Sequence, residues 1–247
     1  YINCEYGDDE TCQKLFDFVE KQKILQNNDS FREFLTLINK ITKHHRRSPS
    51  FFDKIEKIIL YLRKNIKKAF NNIELFYIFK RNKRVLLFLI QKKLIIFDNE
   101  IINSVNSRDE NYSDDFFAYF INELKENISN EKKLLIEKRL LNCNPNIFDD
   151  FQKKRLIGEN DSYICTLIRQ DSIEEFVSYV NRYNISLECQ INQSIFETNT
   201  YLLYKKPMLI EYAAFFGSIQ IFQYLRLTMF IYRLHYGCMQ FIPGILS

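Results

Sequence analysis

The chain contains very little glycine or proline, with 5 glycines and 4 prolines in 247 residues, against about 7% and 5% in average proteins. Turns of special geometry are therefore few and secondary-structure elements long, which favours helices over a meandering sheet. The glycines are also isolated from one another, so the Gly-x-Gly-x-x-Gly and P-loop patterns are missing. This absence argues against dinucleotide or NTP binding, and we expect no cofactor.

Long hydrophobic runs and clustered cysteines are missing as well. The longest apolar run, Val85 to Ile90, is far shorter than the ~20 residues that cross a bilayer, so we expect no integral membrane segment. The six cysteines are scattered and form no Cys-x-x-Cys pair, whereas a disulfide framework is normally denser in a shorter chain. We therefore expect reduced, mostly buried thiols in an intracellular, cytoplasmic protein, with the nucleus as the other compartment that fits.

The sequence offers little that could carry catalysis. Of its three histidines, His44 and His45 are adjacent, so on a helix they point to different faces, whereas a helical metal pair is spaced by four. The third, His235, lies in a divergent tail. No nucleophile motif accompanies them, so a Ser-His or Cys-His mechanism has no basis. We predict no metal site, no catalytic residue and a protein that is not an enzyme.

Apolar residues at helical spacing are what the chain has in abundance. Hydrophobic residues make up 46% of it, enough for a sizeable core. The clearest amphipathic helix follows Ser50, and its apolar face consists of Ile55, Ile58, Ile59, Leu62, Ile66 and Phe70. Several such segments along the chain predict an all-α fold.

Local signals mark where these helices begin and end. Ser30 and Ser172 are each followed three positions later by a glutamate, which is the spacing of a capping box. Asn82 is expected at the polar turn between two helices, where asparagine tolerates a left-handed backbone almost as glycine does. The most polar stretch, 104–115 (SVNSRDENYSDD), predicts an exposed loop.

Residues 207–227 (PMLIEYAAFFGSIQIFQYLRL) show the architecture most openly. Two small alanines, at 213 and 214, are followed by Gly217 and then by apolar residues spaced three and four apart, the pattern of two short antiparallel helices joined by a glycine turn. The pattern that begins at Gly217 also begins at Asp171, 46 positions before it. A looser version begins at Asn82, 89 positions before Asp171. Three helix-turn-helix units of one plan predict a repeat array.

Four blocks of this sequence together resemble a family of protist ankyrin-repeat proteins with an N-terminal helical domain of unknown function. The blocks are HHRRSPSFFDKIEKII (44–59), ELFYIFKRNKRVLLFLIQKKLI (74–95), IGENDSYICTLIRQDSIEEF (157–176) and LIEYAAFFGSIQIFQYLR (209–226). Residues 208–211 (MLIE) stand where the ankyrin signature has Thr-Pro-Leu-His, so the polar hallmarks are replaced. The resemblance implies an ankyrin-like solenoid of degenerate repeats that recognises other proteins, and it supplies no catalytic residues.

These patterns divide the chain into three parts. Residues 1–142 are expected to form an N-terminal domain of degenerate helical repeats, and residues 143–227 the ankyrin-like repeats. A loop at 186–206 is inserted into the second part, at the place where a repeat protein carries a binding loop or a plain spacer. Residues 228–247 lose the repeat pattern and are interpreted as a divergent or truncated tail.

Charge leaves a second class of function open. The net charge of +4, from 35 basic and 31 acidic residues, is weak for a nucleic-acid-binding protein. Basic clusters at 43–47, 64–68 and 80–84 could nevertheless form a groove for nucleic acid or anionic lipid, or simply be the solvated faces of helices. A third alternative is a truncated gene product without function, since the chain starts at Tyr1 and ends abruptly.

Our main prediction is a monomeric, non-enzymatic module that binds an as yet unidentified protein. The turns between paired helices are where such a module would make contact. The candidate contact residues are Arg81, Asn82, Lys83, Gln170, Asp171, Ser172, Gly217 and Ser218.

Overall fold

The structure, a computed structural model, describes residues 9–44, 51–106 and 114–240. All regular elements in these ranges are helical, and the one strand-like pairing among them is an isolated antiparallel bridge between Gln190 and Met208. The prediction of an all-α protein is confirmed. Two compact units divide the chain: the first comprises Tyr1–Gly158 and Thr198–Thr200, the second Glu159–Glu197 and Tyr201–Ser247. Residues 143–158, which we assigned to the repeats, belong to the first unit.

The first unit is built from short helices, together with a 3₁₀ turn at Ile24–Gln26. The helices described in it are α1 (Asp9–Lys21), α2 (Asn28–His44), α3 (Phe51–Tyr61), α4 (Arg63–Ala69), α5 (Asn72–Phe79), α6 (Lys83–Gln91), α7 (Asn99–Asn106), α8 (Asp114–Tyr119), α9 (Ile121–Leu124), α10 (Asn130–Cys143) and α11 (Phe151–Ile157).

The apolar face predicted after Ser50 is buried in the core of this unit. All six of its members, from Ile55 to Phe70, are at most 8% exposed. The helix itself is divided at Leu62, where α3 ends and α4 begins. Hydrogen bonds from Leu62 N to Ile58 O (3.1 Å) and from Ile66 N to Leu62 O (2.9 Å) nevertheless carry the backbone pattern across the break. The hydrophobic stripe therefore stays on one side.

One predicted capping signal in this unit is wrong, and one predicted loop overlaps two helices. Ser30 lies inside α2, and the side chain of Asn27 accepts the capping bonds from the backbone N–H groups of Asp29 (2.9 Å) and Ser30 (3.0 Å). An Asn at this position satisfies the unpaired N–H groups of the first turn as well as a serine does. The polar stretch 104–115 is not wholly a loop either, because α7 continues to Asn106 with Val105 buried. Residues 107–113 lie outside the described residues, as do 45–50.

The second unit contains two helical hairpins and the segment between them. Its helices are α12 (Tyr163–Gln170), α13 (Ile173–Arg182), most of α14 (Thr200–Lys205), α15 (Leu209–Phe216) and α16 (Ile219–Gln240). Helices α12 and α13 pack on each other, as do α15 and α16, and in addition α12 packs on α15 and α13 on α16. The two hairpins thus share one core, which includes Leu167, Ile168, Phe176, Tyr212, Ile221 and Leu225. Helix α16 runs well into the predicted tail.

The turns of the two hairpins have the same backbone structure, 46 residues apart. Asp171 (φ 53°) and Gly217 (φ 69°) both occupy the left-handed region. The N–H of Ser172 donates to Leu167 O (3.1 Å), and the N–H of Ser218 donates to Ala213 O (2.9 Å). Each is the six-to-one bond that closes a helix with a left-handed residue. The capping box predicted at Ser172 is absent, since its side chain makes no cap bond to α13.

Apart from Thr198–Thr200, which belong to the first unit, the inserted segment 186–206 is folded onto the second unit. It contains the whole of α14, and Ile191 and Phe196 are buried. The N–H of Ile191 donates to Pro207 O (2.9 Å), and the side chain of Gln193 donates to Leu203 O (2.9 Å). The segment therefore has a defined conformation of its own.

Candidate interaction surface

Asp171 was predicted as a contact residue, and its side chain bonds within the second unit. The carboxylate oxygens accept hydrogen bonds from the backbone N–H groups of Gln220 (3.1 Å) and Ile221 (3.0 Å) at the start of α16. An acidic side chain at this place satisfies orphan N–H groups and interacts favourably with the helix dipole. Asp171 thus ties the first hairpin to the second helix of the next one.

Ser218 makes a second tie between the same hairpins. Its side chain is buried, and its hydroxyl donates to the backbone carbonyl of Ile168 in α12. Gly217, beside it, is exposed. The turns of the second unit therefore contain two kinds of residue. Some have side chains that join the hairpins, and others, such as Gln170 and Gly217, are exposed.

Asn82 likewise has an internal role, in the first unit. Its backbone (φ −121°) is not left-handed as predicted. The side chain is buried, accepts from Val85 N (3.3 Å) to cap α6, and donates to Asn39 Oδ1 (3.1 Å) and Thr42 Oγ1 (2.6 Å) of α2. Asparagine is used here for its amide, which both donates and accepts. Of its neighbours, Arg81 is exposed and Lys83 half-buried.

The predicted contact residues thus fall into two groups. Gln170, Asp171, Ser172, Gly217 and Ser218 come together at the turns of the second unit, joined by the bonds of Asp171 and Ser218. Arg81, Asn82 and Lys83 form a separate turn in the first unit. The side chains of Asn82 and Ser218 are buried, so a partner at these turns would meet their exposed neighbours.

Sequence reasoning missed a groove in the second unit, between the carboxyl end of α13 and the side of α16. Its volume is about 660 Å³. Its walls combine apolar and uncharged polar groups with one carboxylate, and include Asn181, Asn184, Ile185, Leu187, Glu188 and Tyr224. A groove of mixed polarity with exposed amides on its rim can both bury apolar side chains and bond to a peptide backbone.

A row of tyrosines leads towards this groove. The rings of Tyr163 and Tyr179 lie 5.0 Å apart, and those of Tyr179 and Tyr183 lie 4.8 Å apart. Tyr163 and Tyr183 are more than half exposed, and Tyr183 immediately precedes Asn184 of the groove. Exposed aromatic side chains held by ring contacts offer a large contact area at small entropic cost. We call Tyr163, Tyr179 and Tyr183 the tyrosine strip.

Several polar side chains of the second unit form a partly buried network around Arg169. Arg169 donates to Asn160 O (2.8 Å) and Tyr212 Oη (2.8 Å) and pairs with Glu159 (2.9 Å). Asn160 in turn donates through its side-chain amide to Asn192 O (2.8 Å) in the inserted segment. The network therefore anchors the insertion to α12 and α15.

One thiol lies in that network. Burial raises the pKa of Cys165 to about 11, so the thiol is protonated at neutral pH and is a weak nucleophile. Cys12, Cys165 and Cys189, the cysteines whose state the structure gives, are free thiols.

The basic cluster at 80–84 does not present all its charges to solvent. Arg84 is buried, and it donates to Glu56 Oε1 (2.6 Å) and Leu156 O (2.6 Å). The ammonium groups of Lys80 and Lys83 lie over the rings of Tyr77 (4.2 Å) and Tyr119 (5.1 Å). A polyanion groove that uses Arg84 is therefore ruled out, whereas the lysines at 64, 67 and 68 on α4 are exposed.

Within the described residues, no group of three or more His, Cys, Asp or Glu side chains is arranged to hold a metal ion. In the same part of the chain, every helix is too short or too polar to span a bilayer. Comparison of the chain with protein-family models, with curated proteins and with solved structures gave no match.

Proposed function

We propose that this protein is a non-enzymatic, intracellular binding module whose second unit recognises another protein through stacked helical hairpins of ankyrin type. The observation that carries the proposal is the pairing of the hairpins, in which α12 packs on α15 and α13 on α16. Repeat proteins stack in this way, each unit burying its apolar face on the next. The resemblance of residues 157–176 and 209–226 to ankyrin repeats supports the same assignment.

The bonds between the hairpins support a repeat arrangement over an incidental contact. Asp171 and Gly217 occupy equivalent left-handed positions, and the residues around them reach across to the other hairpin. The identical backbone bonds at two turns 46 residues apart support a structural unit that is used twice. Such an array leaves its turns and grooves free for partners.

The contact surface in this proposal consists of the groove and the tyrosine strip. Tyrosines are enriched among the residues that dominate binding energy at interfaces, especially where neighbours exclude water. The groove rim offers Asn181 and Asn184 as hydrogen-bonding groups beside the apolar Ile185 and Leu187. This combination fits a peptide segment or loop of a partner protein that carries apolar anchors.

Matched tyrosine variants test the proposal. Partners would be captured from native cell extract with the wild-type chain, Tyr183→Ala and Tyr204→Ala, and quantified by mass spectrometry. Tyr183 belongs to the strip, whereas Tyr204 on α14 is even more exposed, at 78%, and lies outside it. Loss of a hot-spot residue weakens binding by about 2 kcal/mol or more, roughly 30-fold.

We expect Tyr183→Ala to lose the partner and Tyr204→Ala to retain it. Equal recovery by all three chains would contradict the assignment of this surface.

A further inference from the structure

A groove of about 690 Å³ lies between α1 and α2 in the first unit. Each helix lines it with residues at positions i, i+3, i+4 and i+7, a spacing that defines one face of a helix. Ile24, in the 3₁₀ turn on which both helices pack, lines the groove as well. We call it the α1–α2 groove. The residues of its two walls are Thr11, Lys14, Leu15 and Phe18 from α1, and Ser30, Glu33, Phe34 and Leu37 from α2.

Other faces of the two helices attach them to the rest of the fold. The ring of Phe16 stacks on that of Tyr61 at the end of α3, with 3.8 Å between the ring centres, and the Tyr61 hydroxyl donates to Glu20. At about 100° per residue, Phe16 and Glu20 lie on the side of α1 opposite to the groove. On α2, Phe31 and Leu35 are fully buried in the core. Because each helix is attached through another face, the groove stays open between them.

The walls of the groove expose apolar side chains to solvent. Phe18 is 52% exposed and Leu37 is 47% exposed, whereas Phe34 is buried. Covering such side chains removes apolar surface from water, which favours association. An amphipathic helix is recognised in this way, when its apolar face packs into a hydrophobic groove. The shape and the apolar walls of the α1–α2 groove therefore fit a helix.

The charges on the walls indicate what kind of helix fits. Lys14 is paired with Glu10 (2.7 Å), so its charge is compensated on α1 itself. Glu33 forms no ion pair with a cation of the described residues, and neither does Asp29, four positions before it. Like charges at this spacing on a helix repel each other, so the α2 wall favours a cation from outside. A fatty acid or another anion would meet unpaired carboxylates.

We propose that the α1–α2 groove binds an amphipathic helix of a partner protein, with apolar anchors on one face and a lysine or arginine beside them. The anchors pack on Leu15, Phe18 and Leu37, and the cation pairs with Glu33. The chain as a whole carries a net charge of +4, so this wall, and not the overall field of the molecule, attracts a basic segment. The site lies in the first unit and is separate from the contact surface proposed in the second.

The test uses the full chain and two synthetic peptides of about four helical turns. Both carry leucine at the i, i+3, i+4 and i+7 positions, and the other positions are mainly lysine in one peptide and glutamate in the other. Binding is measured by the fluorescence anisotropy of the labelled peptide, and leucine-methyl NMR shows whether Leu15 and Leu37 are affected. We expect the lysine peptide to bind with saturation and to shift both methyl signals. The glutamate peptide should bind at least about 10-fold more weakly.

Matched variants locate the site. Leu37→Ser should weaken binding of the lysine peptide by about 10-fold, as the loss of an interface anchor does. Glu33→Gln should weaken it by roughly 1.5- to 5-fold, the range for an exposed ion pair. Leu135→Ser on α10 and Glu100→Gln on α7 make the same changes outside the groove and should bind like the wild type. All four side chains are exposed, so the substitutions are compatible with folding, and unchanged methyl signals outside the groove are the check.

Three results would overturn the proposal: no saturable binding of the lysine peptide, equal affinity in the wild type and Leu37→Ser, or equal affinity for the two peptides. A shift of the Leu15 and Leu37 methyl signals when the chain alone is diluted would show that a second copy occupies the groove, and it would overturn the proposal too. Tyr183→Ala, in the second unit, should leave peptide binding unchanged, which separates this site from the tyrosine strip.

Discussion

Replacing Asp171 tests whether the two hairpins of the second unit are joined as described. In Asp171→Ala the N–H groups of Gln220 and Ile221 lose their acceptors, which costs about 1–2 kcal/mol for a helix cap. Alanine at the left-handed φ of 53° adds roughly 1 kcal/mol. The total of about 2–3 kcal/mol should appear mainly as weaker protection of the α16 amides against hydrogen exchange.

Asp171→Gly separates the two contributions, because glycine adopts this backbone without strain. It should lose the cap alone and be destabilised by about 1–2 kcal/mol. Glu188→Ala removes an exposed acid from the same unit and should change stability by less than about 0.5 kcal/mol.

The assay is hydrogen exchange of peptides covering α16 from Ile221 to Met229, which reports local opening. A change of 2–3 kcal/mol corresponds to an approximately 30- to 140-fold loss of protection. If the α16 amides exchange at the same rate in Asp171→Ala as in the Glu188→Ala control, the capping bond does not hold the hairpins together and the reasoning fails.

Three further predictions concern the first unit. Arg155→Met should destabilise the chain by about 3 kcal/mol or more in chemical denaturation, because it leaves Glu123 without the bidentate partner (2.7 and 2.9 Å) it has beside the core; a variant as stable as wild type would contradict this. Gly158→Ala should lower stability by about 1–2 kcal/mol, because Gly158 has φ 71° and a Cβ would lie 3.0 Å from Thr198 Oγ1; an unchanged melting temperature would argue against the strain. Lys43→Gln should stabilise the chain at neutral pH, because burial and then the charge of Arg81 lower the pKa of the Lys43 ammonium group below its usual value. The lowered pKa means that the unfolded state binds more protons, so the advantage should shrink as the pH rises through the folded-state pKa towards the unfolded one. Melting curves across that range would show a constant difference if the reasoning is wrong.

Helix periodicity was the most reliable guide to the fold. The stripe from Ile55 to Phe70 and the hairpin around Gly217 were predictable, because apolar spacing and a glycine break act through neighbouring residues. Helix starts were less predictable. Asn27 and Ser30 are both good caps, and only the tertiary position of α2 decides between them.

The functions of the turn residues could not be read from the sequence. Asp171, Asn82 and Ser218 were correctly placed at turns, but their hydrogen-bond partners lie some 40 to 50 residues away. A sequence pattern identifies a polar residue at a turn without indicating whether it faces a partner or closes the core. Arg84 illustrates the same limit, since Glu56 lies on a different helix.

The groove and the tyrosine strip have only a partial signature. Tyr179 and Tyr183 are four residues apart, a spacing that places them on one face of a helix. Tyr163 joins them only because α12 and α13 pair. The groove depends on α13 lying beside α16, a contact between distant segments. The number of basic residues at 80–84, by contrast, overestimated the exposed positive charge there, because the burial of Arg84 cannot be recognised from the sequence.

The most direct test of the protein-binding proposal is site-specific photo-crosslinking in native cell extract. A photoreactive amino acid replaces Asn184 on the groove rim in one chain and Lys67, exposed on α4 of the first unit, in another. We expect position 184 to give a discrete protein adduct that Tyr183→Ala abolishes, and position 67 to give none. No adduct at 184, or the same adduct from both positions, would contradict a partner bound in the groove.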